Sequence, residues 1–79
     1  MVKINVTAKD IEKGVYESIY LCPVARAIKR ATKGIQPAVF PKTVVIDGLT
    51  FGLPEQATEF INEYDRGNEV KPFSFKMEL

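Results

Sequence analysis

Apolar and polar residues alternate at both ends of the chain. Val2, Ile4 and Val6 alternate with Lys3 and Asn5, and Phe73, Phe75, Met77 and Leu79 alternate with Ser74, Lys76 and Glu78. Period two belongs to a half-buried strand, so strands are predicted at about 2–6 and 73–79. Between these ends the period changes twice to that of a helix. Val24, Ala27, Ile28 and Ala31 fall at i, i+3, i+4 and i+7, and Ala57, Phe60, Ile61 and Tyr64 repeat the spacing. Pro23 and Pro54 suit first turns, and Gly34 and Gly67 suit helix ends. Helices are therefore predicted at about 23–33 and 54–66. Thr7, with Asp10 three residues on, makes a weak capping box. It predicts a short helical turn at 8–13, stopped by Gly14 in a left-handed conformation.

The strongest local signal is Thr43-Val44-Val45-Ile46, then Asp47-Gly48, then Leu49-Thr50-Phe51-Gly52. Asp-Gly between two β-rich runs predicts a hairpin, because a type I′ turn needs positive φ at both central residues. A two-residue loop pairs Ile46 with Leu49 and Val44 with Phe51, and these four side chains are expected on the core face. Residues 14–21 and 34–41 read as loops, the second interrupted by Pro37 and Pro41. The order predicts a single α+β domain over 1–79. Its simplest form is a four-stranded, mostly antiparallel sheet (2–6, 43–46, 49–52, 73–79) with two helices on one face. The first and last strands are candidates to pair.

Composition narrows the chemistry. The chain has 79 residues, no histidine and one cysteine. Without histidine there is no Ser-His or Cys-His pair, no imidazole base and no imidazole metal ligand. A lone cysteine cannot form an intramolecular disulfide. The N-terminus lacks the apolar core of a signal peptide, and no apolar run reaches the roughly 18 residues of a membrane span. These features point to a cytoplasmic protein with no membrane partner, no catalytic residues, no metal and no cofactor.

Net charge is +1, but it is segregated: residues 1–45 carry eight Lys/Arg against three Asp/Glu, and residues 46–79 carry three against seven. Arg26, Lys29, Arg30 and Lys33 make a basic stripe on the first long helix. It reads either as a solvated face whose charges suit a helix C-terminus or as a phosphate-binding surface. No aromatic residues interleave with it, so base stacking is not suggested. Glu55, Glu59 and Glu63 repeat at i+4 on the second helix and read as a solvated face or as a surface for a basic partner. Cys22, at a helix start, is either a nucleophile with lowered pKa or, more commonly, a small buried hydrophobe. Tyr16, Ile19, Tyr20 and Leu21 lie in the loop without a regular pattern. They either cap the small core or form an aromatic patch of the kind enriched at interfaces.

The segments 6–14 (Val-Thr-Ala-Lys-Asp-Ile-Glu-Lys-Gly), 22–31 (Cys-Pro-Val-Ala-Arg-Ala-Ile-Lys-Arg-Ala), 46–48, 53–55, 60–61, 64–67 and 70–75 (Val-Lys-Pro-Phe-Ser-Phe) carry a resemblance over nearly the whole chain. Their pattern resembles a family of small hypothetical proteins of bacteriophage and actinobacterial genomes. Many members have a further cysteine three positions before the Cys-Pro. Ile19 stands there in this chain, so no paired-thiol or metal site carries over. The resemblance implies a phage-accessory setting, in which small proteins bind and inhibit host factors. The expected function is therefore a non-enzymatic binding protein with a protein partner, acting in the host cytoplasm. Tyr16, Ile19, Tyr20, Leu21, Arg26, Lys29, Arg30 and Lys33 are the candidate contact residues. Nucleic-acid binding through the basic stripe is the first alternative, and self-association as a structural domain or homodimer is the second.

Overall fold

A computed structural model describes residues 1–78 and shows an α+β fold. Strand β1 (Val2–Val6) leads into a short helix, α1 (Ala8–Lys13), and then, after a loop, into α2 (Pro23–Ala31). Strands β2 (Ala38–Val39), β3 (Thr43–Ile46) and β4 (Leu49–Gly52) follow, then α3 (Glu55–Asp65) and β5 (Phe73–Met77). The first and last strands do pair. They run antiparallel, with Val2 opposite Met77 and Val6 opposite Phe73.

The single four-stranded sheet divides into two: β1 with β5, and β2, β3 and β4 in that order. Hairpin pairing is local and fully specified by Asp47-Gly48, whose φ values of 52° and 79° are those of the expected turn. How a hairpin joins a distant ribbon has no such local signal. The second sheet also contains β2, within a segment predicted as loop. Its two residues pair with Val44 and Val45, and Val39 is buried. Three residues between Pro37 and Pro41, two of them in the strand, are too few to show a period.

Helix boundaries shift for local reasons. Helix α2 ends at Ala31, and Thr32–Gly34 form its closing turn. Pro54 precedes α3 as its N-cap instead of starting it. Leu79, the last residue of the predicted final strand, lies outside the described residues. Gly14 is not left-handed: its φ is −68°. A Cβ there would stand 2.7 Å from the Pro23 ring and 2.8 Å from the Asp10 carbonyl oxygen. Glycine is needed where the end of α1 meets the start of α2, not for a turn.

The core gathers Ile4 and Val6 of β1, Val24 and Ile28 of α2, Val44 and Ile46 of β3, the α3 stripe, and Phe75 and Met77 of β5. Both helical stripes are thus buried as their spacing predicts, except that Ala31, at the end of the first, is only partly buried. On the hairpin's core face Val44 and Ile46 are buried and Phe51 is half-buried, but Leu49, beside the turn, is 63% exposed. It projects beyond the edge of the packed layer.

Candidate functional site

The loop at 15–21 is fixed by hydrogen bonds along its length. The Val15 N–H donates to the Leu21 carbonyl at 2.9 Å, closing the loop upon itself. The Leu21 N–H donates to Ser18 Oγ at 3.0 Å. The Gln36 side-chain amide donates to the Tyr20 carbonyl at 3.0 Å, and the Val39 N–H to the Ile19 carbonyl at 2.7 Å. On the other side the Glu17 N–H donates to Asp65 Oδ1 at 3.0 Å. Glu17 adopts φ 55°, a left-handed conformation unusual for its type. This loop has a defined shape, which its irregular sequence did not disclose.

Its side chains divide between the two readings offered for them. Ile19 is half-buried. Tyr16 stacks on Tyr64, with ring centroids 4.5 Å apart, yet stays 59% exposed. Tyr20 and Leu21 are 53% and 54% exposed. An immobilised backbone therefore presents two aromatic side chains and a leucine to solvent. Tyr64 anchors the arrangement from α3: its hydroxyl donates to the Ile11 carbonyl at 3.3 Å, and burial pushes its pKa above the ordinary value.

The second group of predicted residues lies on α2. Arg26, Lys29, Arg30, Lys33 and Gly34 line a shallow cleft of about 370 Å³. Two of the four cations have structural work. Asp10, 0% exposed, sits beneath them. Arg30 grips it with two nitrogens, at 3.0 and 2.7 Å, and donates a further bond to the Asn5 carbonyl at 2.7 Å. Arg26 holds its Nε 3.5 Å from Asp10 Oδ1 without a hydrogen bond. Asp10 also completes the capping box: Thr7 N–H donates to its carboxylate, and its own N–H donates to Thr7 Oγ1. Burial alone would raise the Asp10 pKa. The bonds from Arg30 and Thr7 outweigh burial and hold it below the ordinary carboxylate value.

Sequence reasoning missed this pairing of Asp10 with Arg26 and Arg30. The available signal was an acidic residue at the third position of a capped helix, with a compact basic stripe elsewhere. The spacing along the chain did not connect them. Lys29 and Lys33 remain exposed and free of ion pairs among the described residues. Lys33 lies past the helix end at φ 58°, so it continues the cation row from the turn, not from the helical stripe. The aromatic loop adjoins the start of α2 and Lys33 follows its end, about 15 Å away along the axis. Lys33 and the aromatic loop thus lie at opposite ends of α2, while Arg26 stands one turn from its start.

Cys22 is buried and caps α2, its sulfur accepting the Ala25 N–H at 3.4 Å. Burial pushes its thiol pKa up, against the direction that would make a nucleophile. Among the described residues no group of His, Cys, Asp or Glu is arranged to hold a metal ion, and no helix is long and apolar enough to cross a membrane. No family model matches the chain, and no curated protein or solved structure is significantly similar to it.

Proposed function

We propose that this chain is a non-enzymatic binding protein that engages a protein partner through the aromatic loop. In the phage-accessory setting that its sequence resemblance implies, the partner is a host protein in the host cytoplasm. The observation that carries the reading is the pinned loop with Tyr16, Tyr20 and Leu21 turned outward. Exposed apolar side chains on a mobile loop would lose much of their contact energy to ordering. On a loop already ordered that cost is largely absent. Tyrosine also provides large contact area with few rotatable bonds.

The cation cleft supports a second reading, nucleic-acid or other polyanion binding. Four cations line it and the one carboxylate beneath them is buried, so it keeps an excess of positive charge. A tagged pull-down with and without nuclease separates the readings. Tyr20→Ala with Leu21→Ala should abolish capture of a nuclease-resistant protein while leaving the thermal melt unchanged. Lys29→Glu with Lys33→Glu should abolish capture only if the anion reading holds. Capture that survives both pairs overturns both surfaces.

A further inference from the structure

Two small surfaces on different helices complement each other. The first lies at the end of α2. Past Lys33 the chain turns at Gly34, with φ 103°, and Ile35 stands 44% exposed. The turn is fixed. The Gly34 N–H donates to the Lys29 carbonyl at 2.8 Å, and Thr32 Oγ1 lies 2.9 Å from the Ile28 carbonyl and 3.2 Å from the Ile35 carbonyl. Ile35 is therefore an apolar knob tied to a helix end that carries Lys29 and Lys33, both exposed and free of ion pairs among the described residues.

The second surface is a shallow groove of about 260 Å³ between α3 and the start of β5. Its floor is apolar: the rings of Phe60 and Phe73 lie with centroids 4.6 Å apart, and Val70 is half-buried. Its rim is acidic, with Glu59, Glu63 and Glu69 against one cation, Lys71. Glu63 is engaged by Arg66 at 3.6 Å and by Asn68. Glu59 and Glu69 have no ion pair among the described residues, and none joins this rim to the cations of α2.

We infer that the Ile35 knob of one copy docks in the α3 groove of a second copy, with Lys29 and Lys33 against Glu59 and Glu69. Each half alone would suit many ligands, but the two together select their occupant. An acidic rim disfavours nucleic acid and other polyanions, and an apolar floor favours an apolar side chain over a hydrated ion. The groove thus calls for an apolar residue flanked by cations, and the fixed turn after α2 supplies one in every copy. Burying knob and floor adds an attraction that exposed ion pairs alone lack, while the charges set the orientation. Each copy carries both halves, so the contact runs head to tail. The inference does not rest on the aromatic loop, and it gives the α2 cations a ligand other than nucleic acid.

The test is sedimentation velocity on the full chain, from dilute solution to about 1 mM protein. Mass should rise with concentration. Raising salt from about 0.1 to about 1 M should weaken association at least about tenfold, as the Debye length falls from about 10 to about 3 Å. Over the same concentrations, amide NMR shifts should move at Lys33–Ile35 and at Glu69–Phe73 together. A monomer at every concentration overturns the proposal, as do shifts confined to one segment or centred on the aromatic loop; neither arm needs a variant. Lys29→Glu with Lys33→Glu, and separately Glu59→Lys with Glu69→Lys, should each give a monomer. Their equimolar mixture should associate again, because each acidic surface then meets a basic one. Ile35→Ser in both members of the mixture should abolish that association. A mixture that stays monomeric, or one that still associates without Ile35, overturns the docking equally.

Discussion

Helices α2 and α3 end alike and begin differently. At the end of α3 the Gly67 N–H reaches the Tyr64 carbonyl at 2.9 Å and the Asn68 N–H the Glu63 carbonyl at 3.0 Å. At the end of α2 the Lys33 N–H reaches the Arg30 carbonyl at 3.3 Å and the Gly34 N–H the Lys29 carbonyl at 2.8 Å. Both sets make the same Schellman closure, with the left-handed residue at Gly67 in one and at Lys33 in the other. At their starts the helices diverge. Cys22 caps α2 with its sulfur, Pro23 fixes the first turn, and α1 packs against it through Gly14 and Asp10. Pro54 gives α3 no side-chain cap, and the nearby hairpin edge is open. The contrast teaches that polar and steric fits gather at the start of α2, whereas those of α3, made by Tyr64 and Asp65, gather at its end and its start relies on the buried apolar stripe.

The largest disruption of this difference should come from Asp10→Asn. The substitution preserves volume but removes the charge that Arg30 holds with two bonds. Hydrogen bonds to charged groups contribute about 1.5–3 kcal/mol, so a loss of about 2–3 kcal/mol is expected in urea or thermal unfolding. The pH dependence gives a second check. The folded-state pKa of Asp10 is depressed, so its stabilisation is present above the unfolded value and is lost as pH falls through the folded one. Wild type should therefore lose stability below about pH 4, in a component that Asp10→Asn lacks. An acid limb identical in both proteins would remove Asp10 from its central place.

That hub also marks where the sequence stopped being readable. The helical stripes, the hairpin and the pairing ends could be found because each carries its own period or turn residue. Thr7 and Asp10 were readable as a cap for the same reason. Their link to Arg30 joins residues twenty positions apart through packing, and no period records it. The same holds for the loop: Gln36 and Val39 from one distant segment and Asp65 from another pin it. The exposed pair Tyr20 and Leu21 was legible as irregular and apolar, but its fixed backbone was not. The division into two sheets was least legible, since it is defined by a pairing that does not occur.

Gly14→Ala attacks the α1–α2 junction sterically. Its new methyl would meet a rigid proline ring and a backbone carbonyl, neither of which can rotate away. Overpacking of this kind costs about 1–3 kcal/mol. A thermal melt should fall by roughly 4–8 °C per kcal/mol for a domain of this size. An unchanged melt would mean that the helices separate without loss, and the tightness claimed for α2 would be wrong.

The smallest effect tests the shared closure itself. Lys33 occupies the position that glycine holds after α3, at φ 58°. A left-handed conformation costs an ordinary residue about 1–2 kcal/mol, and Lys33→Gly removes that cost. The substitution also removes a cation near the carbonyl end of α2, worth about 0.3–1 kcal/mol. The net result should be a gain of about 0.5 kcal/mol, with weaker binding of heparin as a polyanion probe. Gain of stability with loss of heparin affinity would show that Lys33 keeps its strained backbone for the sake of its charge. A gain with unchanged affinity would assign the lysine no part in the cleft. A loss of stability would mean that its ammonium contributes more to the helix end than its backbone costs.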